Sequence, residues 1–462
     1  MSDFSEKLAH EIRNTNKPLR YLAEASGLQL DYISKMCRGK RIPQDEEKLK
    51  KLLDAMECVM RTRDILLQLY RQEKMGKIRW DCMKEMIRII EQDASEYMMD
   101  RKGFPKGGMR KSAAVNQEEV FLFLQEIFSD NEKKRICIWT AAARQEAMER
   151  LMQMISGMAC GIIEHLFPMW QNREDEDTLV NLQRLRVIKP AVLYDNYHPS
   201  FYYLKNAGEF SGSLFPNWFL TDDVAFGVND DMDCGIILKE KGQLEALKTE
   251  FWKKYRMARP LVNRSGISQY MNKVNQMMNT GYVTRNYYIE QSPCLLHLIP
   301  INLLKEHILM EGEEREELMR SIQLRILHMK QEDMVHIFSV EGLRYLMEEG
   351  RITGYPDTLY RPLEKRYYQY IQSTPNSCIC VREDCIRLPR YMSIVSSSNV
   401  ENGIAFWSSN RNGPQYYQIM ESGISQKLYD FCRFLEEGNM ALSCGETLEV
   451  IKKMIVEYGG TL

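Results

Sequence analysis

Nothing in this 462-residue chain leans strongly on one sign of charge: sixty-two Lys and Arg stand against sixty-four Asp and Glu, a formal net charge of −2. That excludes a chain that coats polyanions along its whole length, so any nucleic-acid site has to be local. No stretch of about eighteen apolar residues runs free of charge, the length that crosses a bilayer, and no membrane partner is expected. The opening MSDFSEKLAHEIR is charged and helical in period and lacks the apolar core of a secretory signal. Seven His residues are dispersed, with no His-x-x-x-His and no His/Cys pair at metal-ligand spacing. No glycine-rich phosphate loop occurs either, so neither a metal nor a cofactor is expected. Twelve cysteines are scattered, several inside apolar runs such as RICIW around Cys137. Without an export signal they read as reduced, buried thiols, and the expected setting is the cytoplasm.

What is present belongs to a globular protein: 44% hydrophobic and 27% charged residues. A chain this long exceeds one ordinary core and predicts several domains. From Asp3 to Thr15 the apolar Phe4, Leu8 and Ile12 recur every four positions, one face of a helix. Asn16 is read as the cap of the next helix, with Pro18 in its first turn. Leu19, Leu22 and Ala23 face inward, and Gly27 stands where a helix ending in a left-handed turn needs a residue without Cβ. A third helix, roughly Gln29 to Arg38, buries Ile33 and Met36. The spacing Ala23, Gly27, Ile33, Met36 is that of helix-turn-helix geometry, whose second helix enters the major groove. A fourth helix, from Glu46 to about Met56, brings Leu49, Leu52, Leu53 and Met56 into register.

The run LRYLAEASGLQLDYISKMCRGKRIP resembles the lambda-repressor-like, or Cro/XRE, DNA-binding family over roughly residues 4–57. It has the Leu-Ala pair, the turn Gly, Ile-Ser in the recognition helix and the closing Gly-Lys-Arg-x-Pro. Residues 29–41 hold four cations and one anion, which attract phosphates in a salt-dependent way. Gln29, Tyr32, Ser34 and Lys35 are the candidates for base edges; Arg38, Lys40 and Arg41 suit backbone phosphates. Asp31 either accepts from a cytosine amino group or pairs with a neighbouring cation. A helical hairpin with a solvated basic loop explains the apolar spacing but not the cationic cluster.

Residues 58–114 read as a helical connector and linker. Val59, Met60, Leu66, Leu67 and Tyr70 continue the helical period, and a second periodic run follows from Trp80 to Met99. These helices serve either a dimer interface, as operators with two half-sites require, or packing on the chain's own effector region. DRKGFPKGGMRKSAA (100–114) is the linker candidate. Beyond it the pattern turns to mixed strand and helix. RICIWTA is a strand followed by a helix through Met158. WFLTDDVAFGV and CGIILKE flank the turn NDDMD, and a helix follows from Gly242 to Val262. MVHIFSV, YMSIVSS, GIAFWSS and YYQIMES then lead to a closing helix, so strand, helix, distal strands and helix appear twice.

This halved arrangement resembles the phospholipase-D-like fold, whose enzymes carry two His-x-Lys-x(4)-Asp motifs. Only His328-Met329-Lys330 matches here, Val335 stands where the Asp belongs, and no second copy exists. The resemblance therefore implies a domain without that chemistry, and the chain is not expected to be an enzyme. SCICVREDCIRLPRYM reads as two strands around RED, with Cys378 and Cys380 on one face rather than a metal site. YDNYHPSFYYLKN (194–206) reads as a Pro-containing loop whose aromatics either pack in the core or line an effector pocket, and EKRYYQYIQ near Tyr367 has the same two readings.

The fold class expected is multidomain: an all-α N-terminal helix-turn-helix bundle (1–57), a helical connector (58–114), then a large α/β effector region in two halves, 115–270 and 271–462. The function expected is a sequence-specific transcriptional regulator that binds a double-stranded DNA operator, as a homodimer, with a C-terminal region sensing a small molecule or a protein. Two alternatives stand beside it: an enzyme with an autoregulatory DNA-binding head, or a defence or antitoxin-type protein whose C-terminal region binds another protein. No residues are assigned to the effector.

Overall fold

A computed structural model describes residues 2–92, 113–130, 134–141, 144–157, 161–171, 174–204, 213–278, 285–302, 311–329, 334–349, 361–390, 392–410, 413–438 and 440–458. It divides into two compact units, Met1–Lys84 and Glu85–Leu462. The linker candidate lies outside the described residues except for its last two, and so does the end of the periodic run from Trp80.

The first unit is helical: α1 (Asp3–Asn14), α2 (Leu19–Ser26), α3 (Leu30–Cys37), α4 (Glu46–Ala55), α5 (Met60–Met75) and the start of α6 (Lys77–Glu91). Its core joins Phe4, Leu8 and Ile12 to Leu22, Ala23, Ile33, Met36, Leu49, Leu52 and Leu53, the four-residue recurrences that make each helix one-sided. Leu66, Leu67 and Tyr70 of α5 enter the same core, so it extends past residue 57. Ser2 caps α1 and Asp45 caps α4 by accepting from the backbone N–H three residues on. Asn16 does not cap α2. The chain leaves α1 with Asn16 in the left-handed region, φ 52°, and Pro18, extended, is the residue that precedes α2.

The second unit opens with β1 (Ala113–Ala114) and α7 (Gln117–Asp130), then alternates β2 (Ile136–Thr140), α8 (Gln145–Gly157), β3 (Ile163–Trp170), α9 (Asp175–Val192) and β4 (Tyr197–Leu204). β5 (Asn217–Leu220), β6 (Ala225–Val228) and β7 (Gly235–Leu238) follow, then α10 (Lys241–Met257), β8 (Arg259–Pro260), β9 (Val262–Ser265) and α11 (Ile267–Met278). β10 (Asn286–Glu290), α12 (Gly312–Met329), β11 (Met334–Ser339), α13 (Val340–Glu349), α14 (Arg361–Ser373) and β12 (Cys378–Val381) come next. The chain closes with β13 (Met392–Ser397), β14 (Ile404–Asn410), β15 (Gly413–Ile419), α15 (Ser422–Glu436) and α16 (Cys444–Glu457).

Two mixed sheets result. One runs β1-β7-β6-β5-β2-β3-β4-β8, the other β12-β11-β10-β13-β14-β15-β9. Stripped of β1, β8 and β9, the two orders are the same: three parallel strands in chain order on one side, three antiparallel strands on the other. Helices α8 and α9 fill the crossovers of the first sheet; α12, and then α13 with α14, fill those of the second. The registers agree as well. Ile163 faces Ile136 and Met334 faces Asn286, so His165 and His336 hold corresponding places two residues further on, both buried. β9 belongs to the second sheet although it precedes residue 270.

Several local expectations are corrected. WFLTDDVAFGV is two strands, β5 and β6, because the Thr221 side chain takes the amides of Asp223 and Val224 and closes a turn inside it. The helix from Gly242 stops at Met257, and Arg259-Pro260 and Val262–Ser265 pair as strands instead. YDNYHPSFYYLKN is not a loop: Tyr197–Leu204 is β4, with Tyr197 and Phe201 in the core. Of SCICVREDCIRLPRYM only Cys378–Val381 is a strand before Met392. His328 and Met329 end α12, and Lys330 lies outside the described residues.

Candidate nucleic-acid interface

The loop and helix around the cationic cluster are built by backbone chemistry. Leu28 N–H reaches Ala23 O at 3.1 Å and Gly27 N–H reaches Glu24 O, with Gly27 at φ 69°. Lys40 N–H reaches Lys35 O at 2.9 Å and Gly39 N–H reaches Met36 O at 3.0 Å, with Gly39 at φ 66°. Both are the same paired stop, in which a left-handed residue lets two amides satisfy the last helical carbonyls. A Cβ at either glycine would strain that turn. Gly27 thus sets where α3 begins, and Gly39 turns Lys40 and Arg41 away from its end.

The eight residues proposed for DNA contact fall as follows. Gln29 is the residue before the first turn of α3 and is exposed. Asp31 and Lys35 are exposed and paired with each other at 2.6 Å, one helical turn apart. Of the two roles considered for Asp31, the pairing with a cation is present. Ser34 is half-buried, and Arg38, Lys40 and Arg41 are exposed. Arg38 and Lys40 form no ion pair among the described residues.

Tyr32 is half-buried and differs from the others. Its hydroxyl accepts from the Gln44 N–H at 3.0 Å, and the Arg41 guanidinium lies 4.9 Å over its ring. The phenol therefore straps the Gly39–Gln44 loop onto α3, a placement role that one sequence position cannot reveal. Arg20, near the start of α2, is also exposed and without an ion pair among the described residues. It was missed because it stands outside the cluster.

Elsewhere in the unit several cations are matched, while Arg13, Lys51, Arg61 and Lys77 form no ion pair among the described residues. Glu46 holds Arg71 through two bonds of 2.8 and 2.9 Å, Lys17 pairs with Glu57, and Arg63 pairs with Asp54. Burial pushes the Cys37 thiol up, so it is no reactive thiolate. Residues 1–84 carry eighteen Lys and Arg against thirteen Asp and Glu, while the remainder carries forty-four against fifty-one. The near-neutral total therefore hides a basic head and an acidic body. Chemically, the end of α3 offers unpaired cations to a polyanion and polar side chains to hydrogen-bonding edges.

Among the described residues no group of three or more His, Cys, Asp or Glu is placed to hold a metal ion, and no helix is long and apolar enough to cross a membrane. No family model matches the chain, and no curated protein matches it. Among solved structures it is similar to TrmBL2, an archaeal chromatin protein for which a novel mode of DNA binding is described. That likeness has 12% identity over 55% of this chain and 99% of that one, with a TM-score of 0.21. At that score it carries no argument.

Proposed function

We propose that the chain is a sequence-specific transcriptional regulator of the lambda-repressor-like kind, cytoplasmic, which binds a double-stranded operator as a homodimer. The observation that carries this is the pair of exposed, unpaired cations Arg38 and Lys40 where α3 ends, in a unit whose basic residues outnumber its acidic ones. Arg38, Lys40 and Arg41 take phosphates; Gln29, Ser34 and Lys35 face base edges, and Tyr32 holds the phosphate-binding loop in place. The second unit serves as the sensor rather than as an enzyme. The shared strand order of its two sheets supports the phospholipase-D-like reading of that unit, and an effector bound there shifts the equilibrium between DNA-binding and released forms.

The test is selection of bound duplexes from a random library with the purified full-length chain. Enrichment of a symmetric pair of half-sites about one helical turn apart is the expected result. Recovery of no preferred sequence at moderate ionic strength overturns the reading.

A further inference from the structure

A cavity of about 180 Å³ lies in the second unit where β2 ends and α8 begins, closed on its other side by α9. Thr140 is the last residue of β2 and Gln145 the first of α8; Gln183 and Arg184 come from α9. The walls between them are largely apolar, with Phe167 of β3 and Val180 of α9 among them. The carboxyl ends of neighbouring parallel strands are where open α/β sheets receive ligands.

Arg184 is the anomaly. Its guanidinium donates to the Pro168 carbonyl and forms no ion pair among the described residues. A guanidinium has five N–H donors, so most of its capacity is unused. Burial lowers its pKa to about 10. A sheltered cation without an anion is costly, and the side that remains open to it is the cavity.

The floor supplies a second donor. His165 is fully buried, and burial drives its pKa down to about 3, so the ring is neutral. Tyr197 Oη stands 2.5 Å from Nδ1 and has no other acceptor among the described residues, so it donates there. Nε2 therefore carries the ring proton and donates to Thr140 Oγ1 at 2.7 Å. The hydroxyl proton of Thr140 is left to point elsewhere, and Thr140 lines the cavity.

We propose that this cavity binds a small carboxylic acid with an apolar body, its carboxylate taken by Arg184 and Thr140 and its body by the Phe167–Val180 walls. The volume equals that of roughly six waters, which suits an acid of the size of benzoate or hexanoate. A phosphate dianion fits less well, since one guanidinium leaves half its charge unmatched and the walls add only the neutral amides of Gln145 and Gln183. The site stands without the DNA reading.

Calorimetry or saturation-transfer NMR on the full chain, without DNA, tests this with benzoate and hexanoate, their neutral alcohols, and inorganic phosphate. Both acids are expected to bind, with the alcohols and phosphate at least about tenfold weaker, the discrimination one charge-assisted bond gives. Arg184→Met should weaken the acids by a similar factor. Should that variant not fold, Val180→Trp fills the cavity with the guanidinium intact and should abolish binding of both. No acid binding at millimolar concentration, phosphate binding as tight as benzoate, or undiminished affinity in the folded variants overturns the proposal. Since no duplex is present, none of these three outcomes can be mistaken for failure of DNA binding.

Discussion

Gln92 donates its side-chain amide to the carbonyl oxygen of Arg186 at 3.0 Å. Four residues on stands Pro190, inside α9 and without the N–H that would otherwise take that carbonyl. A side chain from the segment after α6 thus completes the ladder of another helix. Gln92→Ala should cost about 1–3 kcal/mol, the penalty for orphaning a sheltered polar group. With Pro190→Ala as background, an amide can serve the carbonyl from within α9, and the loss should shrink. Urea midpoints for the four proteins of this cycle measure the coupling; equal losses in both backgrounds would refute it.

The Asp31–Lys35 pair makes opposite predictions for two substitutions. Asp31→Asn removes the anion that occupies Lys35, so affinity for the selected duplex should rise. The slope of log affinity against log salt should steepen by about one, because losing a carboxylate beside the phosphates leaves one more unit of positive charge there to release counterions. Arg38→Ala should make the slope shallower by about one, and it should leave stability within about 0.5 kcal/mol because the side chain is exposed and forms no ion pair or side-chain hydrogen bond among the described residues. Fluorescence anisotropy across a salt series reads both. If neither substitution moves the slope, the end of α3 does not meet DNA.

The stop of α4 repeats those of α2 and α3 with the wrong residue. Cys58 N–H reaches Leu53 O at 3.2 Å and Glu57 N–H reaches Asp54 O at 2.9 Å, with Glu57 in the left-handed region at φ 55°. A side chain there costs roughly 1–2 kcal/mol that glycine avoids. The Glu57 carboxylate has only an exposed pair with Lys17, and such pairs contribute little. Glycine also loosens the unfolded chain, which offsets part of the gain. Glu57→Gly should therefore raise stability by roughly 0.5–1 kcal/mol, visible as a higher midpoint in thermal unfolding. A lower one would show that the Lys17 contact outweighs the strain.

These stops also mark how far the chain could be read without coordinates. The first unit is built from contacts close in sequence: Phe4, Leu8 and Ile12 declare a helix by spacing alone, and Gly27 declares its turn. β3 and β4 gave no such signal. IEHLFPMW and YHPSFYYL each carry a His and a Pro among bulky residues, and what makes them strands is parallel pairing along their whole length, a long-range choice. The corresponding places of His165 and His336 are likewise invisible, because Ile163-Glu164 and Met334-Val335, which precede them, share no residue type. The cavity was not foreseen either: Arg184 sits in a charged helical run and becomes unusual only once it proves to have no carboxylate partner among the described residues.

His165 supplies the pH dependence. Its folded pKa, about 3, lies far below the ordinary value of 6.5, and burial is the cause. The unfolded chain therefore takes a proton as pH falls through about 6.5 while the folded ring refuses it. Stability contributed by the neutral ring is complete above that value and is lost on acidification, at about 1.4 kcal/mol per pH unit until the folded pKa is reached. His165→Gln cannot titrate. It should be less stable than the parent at pH 7, having lost the bonds to Thr140 and Tyr197, yet the gap should narrow by about 2 kcal/mol between pH 6.5 and 5. His198, whose pKa burial also lowers, is common to both proteins and cancels in the difference. Urea midpoints at the two pH values decide it: parallel losses in parent and variant would mean that the ring is charged, or already protonated equally, in both states.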